Sequence, residues 1–165
     1  MKIYVASSWR NIHQPSVVTA LRADGHDVYD FREDGFSWSS IDPAWQSWTP
    51  DQYWCGLADP KARQGFRRDM EALMAADVCV YVMPCGVSAS LEAGYAKGAG
   101  KSVAAYVPGI AEAELMLNMF DLVTTDLEHL RGWLEGVASG LPIPLDVLCR
   151  KRDEGSQQAQ QLKKQ

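Results

Sequence analysis

The sequence lacks the features that mark several large classes of protein. Its 165 residues include only four cysteines, none of them in C-x-x-C spacing, so neither a cysteine metal site nor a disulfide framework is predicted. No apolar run approaches the ~20 residues that a membrane-spanning helix requires. The first residues also lack the charged, apolar and small-residue regions of a signal peptide. We therefore expect a cytoplasmic protein with no metal and no membrane partner.

A positive charge balance is also absent. The formal net charge of −5 disfavours a general surface for a nucleic-acid polymer, although it is compatible with a small anionic ligand in a local cationic pocket. The length fits one domain with a real core. We predict a single α/β domain over 1–140, with a Trp-rich insertion at about 35–58, and a C-terminal extension over 141–165. The tail from about 151, rich in Gln and Lys, is expected to be disordered.

What the sequence does contain is a regular alternation of strand and helix patterns. Apolar or alternating runs predict strands, and apolar residues at helical spacing predict helices between them. The predicted strands are 2–6, 26–31, 78–82, 102–107 and 122–123, and the predicted helices are 14–23, 61–76, 88–98, 112–120 and 126–137. This order predicts a three-layer, doubly wound parallel sheet of about five strands, flavodoxin-like or Rossmann-like. Since no G-x-G-x-x-G follows the first strand, an ordinary NAD dehydrogenase is disfavoured.

The stretch from Pro84 to Ala96 is the most informative part of the chain. It follows a strand that reads as buried on both faces, and ligands of open α/β sheets bind just outside the carboxyl ends of the strands. With Ser88 as the predicted helix cap, Glu92 lies near the unpaired N–H groups, which are expected to hold it ionised, as a nucleophile requires. The alternative is that Glu92 only complements the helix dipole.

Polar residues also follow the first strand. Ser7 and Ser8 can present hydroxyl and N–H groups to a ligand, and Arg10 can grip a phosphate through its planar fork. The alternative is that Ser8 caps the next helix and Arg10 is solvated. Two acids, Asp69 and Asp77, lie in or just after the helix before the central strand, where a surface or turn role would explain them equally well.

The segment over 35–58 carries many aromatic residues without a regular period. A connection of this length without its own secondary structure is usually functional or disordered, and its aromatic content argues against disorder. Such side chains stack on nucleobases, which predicts a lid over a base. They also fill core edges and subunit interfaces, and we favour that role for most of them.

Three pieces of the chain together resemble the nucleoside 2-deoxyribosyltransferases and their relatives, the 2-deoxynucleoside 5-monophosphate N-glycosidases. The pieces are the first strand with its turn (2–8), the segment over 69–77, and the segment over 88–96. The resemblance implies that Glu92 is the nucleophile, that Asp69 and Asp77 are the two active-site aspartates, and that Tyr4 lies beside the glutamate. The substrate-binding residues that the turns and the resemblance suggest are Ser7, Ser8, Arg10, Gly86, Ser88 and Asn118.

The implied activity is cleavage or transfer of the N-glycosidic bond of a 2-deoxynucleoside or its 5-monophosphate, through a covalent 2-deoxyribosyl-glutamate and without a cofactor. In the transferases a neighbouring subunit supplies an asparagine, which implies a homodimer or higher oligomer. The Trp-rich insertion is unlike compact versions of the family and leaves the substrate open. Two other readings stay open: a non-catalytic nucleotide-sensing module on the same fold, and a glycohydrolase of another N-ribosyl compound such as NAD.

Overall fold

The computed structural model describes residues 1–33, 35–109 and 113–140, so the predicted C-terminal extension lies outside the described residues. Five parallel strands form one sheet in the order β2-β1-β3-β4-β5. The strands are β1 Lys2–Ala6, β2 Asp27–Tyr29, β3 Val78–Val82, β4 Ser102–Tyr106 and β5 Leu122–Thr124. The helices are α1 Gln14–Ala23, α2 Pro50–Leu57, α3 Pro60–Ala75, α4 Val87–Gly98 and α5 Leu127–Ala138. The predicted fold class is confirmed.

The sheet separates two layers of helices. Because side chains alternate along a strand, Ile3 and Val5 of β1 face α1 and α5, whereas Tyr4 and Ala6 face α3 and α4. β3 is buried throughout, as expected for a central strand covered on both faces. The chain thus has the three-layer architecture, with β1 and β3 at the centre of the sheet.

Several element boundaries differ from the prediction by one or more residues. Helix α4 begins at Val87, because Gly86 has extended backbone angles and serves as the cap; Ser88 is therefore already helical. Strand β2 spans only three residues, and a 3₁₀ turn, Leu115–Met119, stands where a helix over 112–120 was predicted. The first change matters for the site, since it moves Glu92 into the second turn of α4.

The Trp-rich segment is more ordered than predicted. It contains two single 3₁₀ turns, Trp38–Ser40 and Trp45–Ser47, and the helix α2, which starts with a capping box between Thr49 and Gln52. Four aromatic side chains form one cluster in which neighbouring ring centroids lie 4.8–5.8 Å apart: Phe36, Trp38, Trp48 and Tyr53. These rings pack on one another, which supports the interpretation that most of the aromatic residues in this segment are structural.

This aromatic cluster is attached to two helices at glycines. A Cβ placed on Gly65 of α3 would lie 2.6 Å from the Cβ of Phe36, and a Cβ on Gly56 of α2 would lie 2.5 Å from the Trp48 ring. The absence of a side chain at both positions therefore permits the close approach. No helix within the described ranges is long and apolar enough to cross a membrane.

Candidate active site

Glu92 projects from the second turn of α4 toward the sheet. Its carboxyl is partly buried and lies near Tyr4, which is 1% exposed in the middle of β1. Helix α4 packs against the sheet through three alanines, Ala89, Ala93 and Ala96. Because alanine is small, the helix lies close to the strands and brings the Glu92 carboxyl near the tyrosine ring.

A second acid, Asp69, reaches the same place from α3. Tyr29, the last residue of β2, donates its hydroxyl to Oδ1 of Asp69 at 2.6 Å. Tyr29 is also the register partner of Tyr4, and the two rings stack with centroids 5.3 Å apart and planes 15° apart. The structure therefore brings Glu92 and Asp69 together around a stacked pair of tyrosines.

The environment of Glu92 raises its pKa to about 7. Burial is the main cause and the negative charge of Asp69 adds to it, while the Tyr4 hydroxyl favours the ionised form. This corrects the expectation that the helix N-terminus holds Glu92 ionised. Since α4 starts at Val87, the carboxyl lies beyond the unpaired N–H groups, and burial determines its protonation.

The hydroxyl groups of Tyr4 and Tyr29 remain protonated at neutral pH. Burial and the nearby acids Glu92 and Asp69 raise the pKa of Tyr4 far above its ordinary value. Burial and the hydrogen bond to Asp69 raise the pKa of Tyr29 to about 12. Each phenol can therefore act only as a hydrogen-bond donor to a carboxylate beside it.

The structure does not bring Asp77 into this group. Asp77 precedes the first residue of β3, at the amino edge of the sheet, where its carboxylate accepts the Lys2 backbone N–H at 2.7 Å. It is exposed, and of the two predicted aspartates only Asp69 affects the pKa of Glu92. Asp77 thus has the turn role that the sequence left open.

The turns at the carboxyl edge of the sheet are joined by a residue that sequence reasoning missed. Asn11 is 2% exposed, and its side-chain amide donates to Ser7 Oγ at 2.9 Å and to the carbonyls of Val82 and Pro84 at 2.9 and 3.0 Å. The Ser7 hydroxyl also donates to the Val82 carbonyl at 2.9 Å. Asn11 and Ser7 therefore hold the β1–α1 turn against the β3–α4 turn.

The remaining binding candidates lie on or near these turns, with one exception. Arg10, Gly86 and Ser88 are exposed, and the Ser8 hydroxyl accepts the Arg10 N–H at 3.2 Å. Arg32, which sequence reasoning also missed, donates from one nitrogen to the carbonyls of Ser8, Trp9 and Asn11 and fixes the β1–α1 turn.

The exception, Asn118, is exposed in the 3₁₀ turn before β5 and donates to the Leu115 carbonyl. Within the described ranges, no group of three or more His, Cys, Asp or Glu side chains is arranged to hold a metal.

Several solved structures resemble this chain, although no protein-family model and no curated protein matches it. One is a 2-deoxyribosyltransferase from Bacillus psychrosaccharolyticus, with 22% identity over 79% of this chain and 90% of that one, and a TM-score of 0.57. The chain has the fold of that transferase. Another is a CMP N-glycosidase from Clostridium botulinum, with 13% identity over 82% of this chain and 98% of that one, and a TM-score of 0.47.

Proposed function

We propose that this protein cleaves or transfers the N-glycosidic bond of a 2-deoxynucleoside or its 5-monophosphate. The observation that carries the proposal is the convergence of Glu92 and Asp69, from different helices, around the Tyr4–Tyr29 stack. A glycosidic bond breaks through an oxocarbenium-like state, for which one carboxylate and one proton donor suffice. The shared fold with a 2-deoxyribosyltransferase is consistent with this chemistry.

In the proposed reaction the two acids share one proton, which lies on Asp69 when the ionised Glu92 attacks C1′ of the sugar and the bond to the base nitrogen breaks. The bonding electrons leave with the base, which takes a proton from Asp69, and a covalent 2-deoxyribosyl-glutamate remains. Asp69, now a carboxylate, then accepts a proton from water or from a second base as that group attacks C1′ and releases Glu92. Two displacements give retention of configuration. The Tyr4 hydroxyl favours the ionised Glu92 that the first step requires.

The experiment that tests this proposal is a substrate panel with the Glu92→Gln variant as a matched comparison. Deoxynucleosides, their 5-monophosphates and NAD are incubated with the protein, with and without an acceptor base, and free base is followed by chromatography. We expect base release by the parent chain and a loss of about 10³-fold or more in Glu92→Gln, as for removal of a nucleophile. Tight nucleotide binding without base release would instead identify a sensing module, and nicotinamide release an NAD glycohydrolase.

A phosphate would fit at the carboxyl edge of the sheet. The N–H groups of the first turn of α4 begin at Gly86, which has no side chain to cap them, and Arg10 is exposed on the neighbouring β1–α1 turn. We expect Arg10→Ala to weaken binding of a 5-monophosphate about tenfold and to leave binding of the free nucleoside unchanged. Titration calorimetry with both ligands measures this. Equal losses for the two would remove the phosphate role.

We also propose that the protein is a homodimer or a higher oligomer. Three apolar side chains at spacings of four residues form an exposed stripe on α4, with exposures of 77% for Val87, 69% for Leu91 and 46% for Tyr95. The stripe lies on the helix that carries Glu92, so a second copy seated there would border the site. Leu91→Lys should convert the assembly to a monomer in analytical ultracentrifugation. A parent chain that sediments as a monomer would refute this.

A further inference from the structure

We propose that Tyr29 is a positioning residue, which fixes the Asp69 carboxyl in the orientation that protonates the departing base. This inference rests on the proposed function and goes beyond it, because it assigns a role to a residue that neither the sequence pattern nor the comparisons pointed to. Its basis is geometric. Tyr29 is the residue that joins the two halves of the site, through one hydrogen bond and one ring contact.

The hydrogen bond constrains one oxygen of Asp69. The Tyr29 hydroxyl donates to Oδ1 at 2.6 Å, the usual length of a charge-assisted hydrogen bond to a carboxylate. An oxygen that accepts this bond is disfavoured as the site of the acidic proton. The proton needed by the leaving base is therefore directed to Oδ2.

The ring of Tyr29 supports the same geometry. It stacks on the ring of Tyr4, which is fixed within β1 and faces Glu92. Because Tyr4 and Tyr29 are register partners on adjacent strands, backbone pairing sets the distance between the two rings. The nucleophile and the acid are thus each in contact with one ring of a single stacked pair, and the sheet fixes their separation.

A hydroxyl that only stabilised the fold would have a different neighbourhood. Tyr29 is partly exposed and lies at the end of the edge strand β2, outside the fully buried core. The Arg68 guanidinium is also near this hydroxyl, from the residue before Asp69 on α3. The arrangement orients Asp69 more than it secures the core.

The test is Tyr29→Phe, which keeps the ring and its stack but removes the hydroxyl. Turnover is measured on a 2-deoxynucleoside whose base must be protonated to leave, and on its N7-methylated purine analogue, whose base leaves without protonation. We expect kcat to fall about 10- to 100-fold on the first substrate, with KM within about twofold, and to stay near the parent value on the second. Tyr53→Phe, which removes a half-exposed phenol on α2, is the matched control and should leave both rates unchanged.

The possible outcomes separate the two proposals. Equal losses on both substrates would show general damage to the site and would overturn the positioning role, as would unchanged turnover on both. A parent chain that releases no base from any deoxynucleoside overturns the proposed function itself. Loss confined to the substrate that needs protonation supports both proposals, since only the acid step depends on the removed hydroxyl.

Discussion

The two faces of the sheet are built from the same strands but from different residues. The face toward α1 and α5 is a continuous packing of branched and aromatic apolar side chains, among them Ile3, Leu21, Leu134 and Trp133. The face toward α3 and α4 contains tyrosines, a cysteine and many alanines, with Leu73 as its largest fully buried aliphatic side chain. The larger aliphatic side chains are thus concentrated on one face, and the candidate site lies on the other.

The alternation of side chains makes this division possible. In β1, odd-numbered residues enter the apolar core and Tyr4 enters the site, so a residue can be polar without disturbing its neighbours in the chain. Small residues on α4 then leave room for a carboxyl beside the strands. A polar group in such a place has a cost, which for Glu92 appears as a raised pKa.

The largest expected effect comes from removing equivalent side chains from the two faces. Leu134→Ala and Leu73→Ala each remove a fully buried leucine, and each should lower the free energy of unfolding by about 2–5 kcal/mol. Only Leu73 lies on α3, one helical turn after Asp69. We therefore expect Leu73→Ala to lower kcat of the surviving folded protein as well, and Leu134→Ala to leave it unchanged. Urea unfolding and turnover on the same samples measure both. Equal kcat in the two variants would contradict the division between faces.

A smaller effect on the free energy of unfolding is expected from the burial of the Glu92 carboxyl. Its pKa rises from 4.5 to about 7 on folding, so the folded state binds the proton more tightly than the unfolded chain. Below about pH 4.5 both states are protonated and the cost vanishes; as the pH rises toward 7 the folded state loses stability relative to the unfolded one. Glu92→Gln should therefore stabilise the protein above pH 7, by at most about 3 kcal/mol, and hardly at all at pH 4.5.

Thermal unfolding at pH 4.5 and pH 8 checks this sign. The matched control is Glu71→Gln, which changes an exposed carboxyl on the outer side of α3 and should shift stability by less than about 0.5 kcal/mol at either pH. A stabilisation by Glu92→Gln that is equal at both pH values would show that burial of the charge is not the cause. If Glu92→Gln both stabilises the protein at pH 8 and abolishes turnover, Glu92 is a residue that supports activity at the expense of stability.

The sequence predicted the fold more completely than the site. Strand and helix patterns carry the fold, and strands β1 and β3 and helix α1 have the predicted bounds. The structure of the Trp-rich segment was not predicted, because it depends on aromatic contacts among Phe36, Trp38 and Trp48, which have no period along the chain. The first residue of α4 was predicted wrongly because glycine is a weaker N-cap signal than serine, and Ser88 was taken as the cap in place of Gly86.

The site could be predicted only in part because it depends on strand register. Glu92 was predicted from its place after a buried strand, and Tyr4 and Asp69 were named from a resemblance. Tyr29 lies in a short edge strand whose pairing partner no local pattern indicates. A register that pairs Tyr29 with Tyr4 places both rings on the α3 and α4 side, which would have been a usable signal. Asp77 lies apart from Tyr4, Asp69 and Glu92, because it is level with Lys2, two residues along β1 from Tyr4.

The smallest expected effect concerns how the Trp-rich segment is held on the face that carries the site. Gly65→Ala would bring a Cβ within 2.6 Å of Phe36, so the aromatic cluster has to shift away from α3. On the opposite side of the sheet, Gly132 of α5 is exposed, with nothing within 4 Å of such a Cβ. Gly132→Ala should therefore raise the free energy of unfolding by about 1 kcal/mol, as for glycine in an open helix, whereas Gly65→Ala should lower it by about 1–2 kcal/mol. Opposite signs in chemical denaturation would show that the segment is packed on α3 in solution. Stabilisation by both substitutions would mean that Phe36 yields freely and that the segment is packed only loosely on α3.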